Sequence, residues 1–88
     1  MKSKYTFERM ELDDEIVAVP VGESAANFHA VLNLNEEAMR ILELLQEENT
    51  EESIVAQLMK EYEGERNEIA SLVSKYIEQL RQEGLLEE

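Results

Sequence analysis

The sequence predicts an α+β fold in which a three-stranded antiparallel sheet is followed by three helices. Three observations carry this reading. Apolar residues alternate with a period of two through the first third of the chain and recur at three and four from Asn35 onward. The glycines, Gly22, Gly64 and Gly84, and the single proline, Pro20, fall in connections or at the ends of apolar runs. Finally, 88 residues that are 43% hydrophobic suffice for one core, which reads residues 1–88 as a single domain and excludes an intrinsically disordered acidic tail even with 33% charged residues.

Taken in order, Tyr5, Phe7 and Arg9 begin a short extended segment. Ile16 to Val21 is β-branched and apolar enough for a second strand, with Asp13-Asp14 before it and Gly22 after it as turn residues. Pro20 has no N–H to give a ladder and so belongs at an edge or a strand end. A third strand over Phe28–Leu34 places Phe28, Ala30, Leu32 and Leu34 on one face and His29, Val31 and Asn33 on the other.

Asn35 is a cap for the first helix, Glu36 and Glu37 suit its positive end, and Ala38, Ile41, Leu42 and Leu45 form its stripe. Thr50 caps a second helix with Ile54, Val55, Leu58, Met59 and Tyr62 on one side, stopping near Gly64. The third and longest helix carries Ile69, Leu72, Val73, Tyr76, Ile77 and Leu80; Gly84 stops it, and Leu85-Leu86 folds back. Strands beside three helices also suggest a winged-helix-like domain.

Charge narrows the function. With 21 acidic against 8 basic side chains, the net charge of −13 repels nucleic acid and anionic lipid surfaces, so neither nucleic acid nor membrane is an expected partner. The last helix, in which Arg66, Lys75 and Arg81 are offset by Glu68, Glu78 and Glu83, has no net positive charge with which to grip phosphates. No stretch approaches the 18 apolar residues of a membrane span, nothing at the N-terminus forms a signal peptide, and a cytoplasmic location is expected.

The sequence holds few residues in patterns that carry chemistry. Without cysteine there is no thiolate zinc site or thiol nucleophile, and His29, the lone histidine, cannot build a metal cage. The scattered glycines form no phosphate-cradling loop, and the Asp13-Asp14-Glu15 triplet reads as a turn. The expectation is a protein that is not an enzyme and holds no cofactor or metal.

The segment Val31-Leu32-Asn33-Leu34-Asn35-Glu36-Glu37-Ala38, backed by Ile41-Leu42, resembles the middle of the PqqD family, where a strand ending in Leu-Asn runs into the first helix. Thr50 ahead of Glu52, Ile54 and Val55 resembles that family's second helix. Tyr76-Ile77 through Leu80 with Gly84-Leu85-Leu86 resembles its closing helix and tail, so the likeness spans about Tyr5 to Leu86. The resemblance implies a non-catalytic adaptor of winged-helix-like shape that captures the leader of a ribosomally made precursor peptide and presents it to a modifying enzyme, often a radical SAM protein. Gln46-Glu47-Glu48-Asn49 and Ser71-Leu72 depart from the members devoted to pyrroloquinoline quinone, which favours a relative serving another peptide.

An extended peptide adds as one more strand to an open sheet edge, and the third strand is the expected edge. The resemblance puts the peptide between that strand and the last helix, with His29, Val31 and Asn33 on one wall and Val73, Tyr76, Ile77, Leu80 and Arg81 on the other. On this reading a charge at Val31 or Ile77 weakens peptide binding without unfolding the chain, and nearby glutamates attract basic peptide positions. Two other readings stay open: a winged-helix transcriptional regulator, and a small acidic structural or dimerisation module.

Overall fold

A computed structural model describes all residues, Met1–Glu88. The elements run β1 (Lys2–Ser3), β2 (Phe7–Leu12), β3 (Glu15–Pro20), α1 (Ser24–Asn27), β4 (Leu32–Leu34), α2 (Glu36–Leu44), α3 (Glu51–Glu61), α4 (Arg66–Gln82) and β5 (Leu86–Glu87). Strands β2, β3 and β4 form an antiparallel sheet in that order, and β1 pairs with β5 in a separate two-stranded ribbon. The mixed α+β architecture with its three-stranded antiparallel sheet is the one the periodicity predicts. A fourth helix, α1, and the terminal ribbon are additions to it.

The β2–β3 hairpin closes through Asp13-Asp14, with Asp13 in the left-handed region (φ 56°) that a two-residue hairpin turn requires and aspartate tolerates. The third strand is shorter than the alternation suggests. Pairing with β3 runs from Ile16↔Leu34 to Ala18↔Leu32, and the same register carried on would set Ala30 opposite Pro20, which has no N–H to offer. Phe28 is instead drawn inward, stacked on Tyr5 at 5.0 Å and edge-on to Phe7 at 5.7 Å. The residues before it coil into the single turn of α1.

The helix ends follow local chemistry. The Asn35 side chain accepts a hydrogen bond from the Ala38 N–H at 2.8 Å, and Thr50 and Ser53 form a reciprocal capping box at the start of α3. At the end of α4, Gly84 (φ 74°) lets the Leu85 N–H reach the Leu80 carbonyl at 2.9 Å and its own N–H reach the Arg81 carbonyl at 3.1 Å, a Schellman closure. That turn drops Leu85 into the core and lays Leu86 beside Ser3. The Ser3 N–H donates to the Leu45 carbonyl at 2.7 Å and the Lys4 N–H to the Leu85 carbonyl at 2.8 Å, so the N-terminal segment is stitched to both the end of α2 and the tail.

The core has two lobes joined by α2. Ile41 and Leu45 pack with Ile54, Val55, Leu58, Val73, Ile77, Leu80 and Leu85 from the other helices and the tail. Met39 and Leu42 face the sheet, against Phe7 and Ala18. Two arginines pin the same helix from outside: Arg9 of β2 reaches Glu36 at 3.2 Å and Glu43 at 3.3 Å, and Arg40 meets the Glu61 carboxylate of α3 at 2.7 and 2.8 Å.

Leu42, wholly buried against the sheet, is expected to cost about 2–5 kcal/mol of unfolding free energy when truncated to alanine, read from urea denaturation. The Glu61 carboxyl is held down from its usual 4.5 to about 2, first by the hydrogen bonds from Arg40 and then by that from Gln57. Its folded-state pKa is depressed, so the stabilisation is complete above pH 4.5 and drains away as the pH falls toward 2. Stability curves of the parent chain and Glu61→Gln should therefore lie apart at neutral pH and converge across that window.

Candidate functional site

Strand β4 ends the sheet order, so its outer margin has no partner within the chain. The opposite margin, β2, is partly occupied: the Phe7 N–H is taken by the Gln46 side chain at 3.1 Å, and Arg9 is tied to α2. The free β4 margin leads directly into the start of α2, and an open groove of about 630 Å³ begins there. Asn35 and Ala38 form one of its walls. The other is a stripe of α4 made by Asn67, Glu68, Ser71, Leu72, Lys75, Tyr76 and Gln79. A smaller hollow of about 240 Å³, bounded by Glu37, Leu58, Tyr62, Glu63, Gly64 and Ile69, shares Glu68 and Leu72 with it, so one channel follows α4 toward the loop at Gly64.

The expected wall residues divide in the structure. His29 and Val31 are exposed in the segment before β4 and Asn33 is exposed within it; none of the three lines the groove, and Val31 keeps 60% of its surface. Tyr76 lines the groove. Val73, Ile77 and Leu80 do not. They retain 0%, 0% and 2% of their surface and form the helical core, so the sequence-based placement of these three on the groove wall is corrected. Arg81 stands outside it as well, its guanidinium bonded to Glu78 at 2.6 Å and Glu88 at 2.8 Å.

Neighbouring residues on a helix point about 100° apart, and the stripe that α4 turns to the other helices is centred on Val73, Ile77 and Leu80 rather than on Leu72. Val73 enters, and Leu72 is left 40% exposed on the groove side, in line with Glu68, Lys75 and Gln79. The available signal was this second apolar residue lying out of phase with the Val73–Ile77–Leu80 stripe. Val31 and Leu72 supply two of the four large exposed hydrophobic side chains in the protein, Leu72 on the groove wall and Val31 just before β4.

Charge along the channel is uneven. Glu37, Glu63 and Glu68 gather at the Gly64 end, whereas Lys75 lies two turns along α4 from Glu68. Tyr76 spans groove and core. Its hydroxyl is enclosed without a hydrogen-bond partner, and burial, with a lesser push from Glu83, raises the phenol well above its ordinary value. The arrangement has no nucleophile set against a base. It offers instead an apolar floor, a free strand margin and a few polar groups, which are the parts needed to hold an extended chain.

Comparisons with known proteins bear on the family and the fold. The chain belongs to the PqqD family, described as Coenzyme PQQ synthesis protein D, which it matches over residues 15–86. Among solved structures it is similar to TbiB1 in complex with the TbiA(beta) leader peptide, with 25% identity, a TM-score of 0.69, and coverage of 99% of this chain and 95% of that one. No curated protein sequence matches it.

Because the Tyr76 hydroxyl is buried without a partner, Tyr76→Phe should leave the ring in place and raise stability by about 1 kcal/mol, measured by chemical denaturation.

Proposed function

We propose that this protein is a non-catalytic adaptor that binds the leader segment of a ribosomally made precursor peptide and holds it for a modifying enzyme. The observation that carries the reading is the unpaired β4 margin, followed at Asn35 by the groove between the start of α2 and α4, in a chain whose fold is similar to that of a protein solved with a leader peptide bound. The peptide adds to β4 as a fourth strand. Its main-chain groups satisfy the free N–H and C=O groups of the margin, and alternate side chains drop toward Leu72, Ala38 and Tyr76. Val31 closes over the guest from the strand side. His29 and Asn33, both exposed, meet the guest at its edge.

Adaptor action follows from where binding energy is spent. Strand addition fixes a disordered leader in one direction and register, and tethering the reactive segment beside an enzyme raises its effective concentration there. The modifying enzyme, for which a radical SAM protein is the natural candidate in this family, supplies the chemistry. No covalent step is asked of this chain, which acts in the cytoplasm where such peptides are made.

Calorimetry with the precursor peptide encoded beside this protein tests the reading. The parent chain should bind its leader, and Leu72→Glu and Val31→Asp should each weaken binding by tenfold or more while circular dichroism stays unchanged, since both side chains are exposed. Ile77→Glu, in contrast, should unfold the protein. A folded parent chain that ignores both leader and enzyme would end the proposal.

A further inference from the structure

Although the protein carries a net charge of −13, its groove is not uniformly acidic, and this has a consequence for what it selects. Arg9, Arg40 and Arg81 are each consumed by carboxylates of the same chain. Lys75, like Lys2, Lys4, Lys60 and Arg66, forms no such ion pair, and it is the one basic side chain on the groove wall. Ser71 and Gln79, one turn to either side of it along α4, are uncharged, and the glutamate nearest it in sequence, Glu78, is bound to Arg81 at 2.6 Å. What sets Lys75 apart is its place beside the apolar floor of the groove, where its ammonium is available to an anion brought by the guest.

Resting on the peptide-binding reading above, we infer that the groove selects a peptide bearing an apolar anchor and, two positions from it, an acidic residue. The anchor sits on Leu72, Ala38 and Tyr76, and the carboxylate pairs with Lys75. The spacing comes from geometry. Leu72 and Lys75 are neighbours at i and i+3, about 5–6 Å apart on the helix surface, and side chains on one face of a strand recur about every 6.6 Å. Glu37, Glu63 and Glu68 at the Gly64 end add a polarity: basic guest residues are favoured there and acidic ones at Lys75, so the groove distinguishes the two directions in which a strand can lie. This narrows the expectation that glutamates simply attract basic positions, which holds for one end of the channel only.

A displayed library of random 16-residue peptides, selected against the full 88-residue chain and against Lys75→Glu, is the test. The parent should enrich an apolar residue with Asp or Glu two positions away. Lys75→Glu should lose that preference and bind the selected peptides roughly five- to tenfold more weakly, while Lys75→Arg keeps it. Lys75 is exposed, so the variants fold, as circular dichroism will verify. Peptides enriched without the acidic position, or unaffected by Lys75→Glu, would overturn this inference and leave the peptide-binding reading standing. No enrichment by the folded chain would overturn both, as would gel filtration showing a dimer that Leu72→Glu dissolves, since a second copy would then occupy the groove.

Discussion

The structure depends on α2 being buried on two sides at once. Ile41 and Leu45 look toward the other helices, Met39 and Leu42 toward the sheet, and no other element belongs to both lobes of the core through its fully buried side chains. Each lobe alone is too small to offset the entropy of ordering its chain, so the two are stable only as one body around this helix. Arg9 and Arg40 reinforce the arrangement from the surface. They reach from β2 to α2 and from α2 to α3, across junctions where glutamates would otherwise repel.

The same constraint creates the groove. Once α2 is wedged between sheet and helices, its first turn stands at the end of β4, and α4 is held away from the strand by the side chains that α2 and α3 insert beneath it. The helix cannot close the remaining gap, because Val73, Ile77 and Leu80 have already fixed its rotation. What is left on the near side is a stripe of mixed character, with Leu72 and Tyr76 as apolar ground and Lys75 as an uncompensated charge. An open strand margin is a hazard to most small proteins, and the short length of β4 keeps it a modest one. In the proposed reading, the groove that follows the margin chooses what pairs there.

The terminal ribbon has a quieter part. Strands β1 and β5, with the bonds from Ser3 to Leu45 and from Lys4 to Leu85, bind both chain ends to the far side of the helical lobe. The C-terminal end of α4 is thereby fixed, and with it the wall of the groove. On the proposed reading a guest meets a preformed surface, which spares the ordering cost that a mobile wall would add to binding.

The sequence by itself determined the order and kind of most elements, since these rest on local chemistry: periods of two and of 3.6, Asn35 and Thr50 as caps, Asp13-Asp14 as a turn, and Gly84 as a helix stop. It also determined the family, because the run from Val31 to Ala38 and the closing Gly84-Leu85-Leu86 are local patterns. Tertiary structure alone decided which apolar residues of α4 are core and which are groove, for an amphipathic stripe wider than its contact does not reveal where the contact ends. Only packing left Leu72 out and drew Val73, Ile77 and Leu80 in. It likewise cut the third strand to three residues, through the proline across the ladder and the pull of Phe28 on Tyr5 and Phe7, and it left Lys75 without a partner, a fact about distances between elements that no single segment contains.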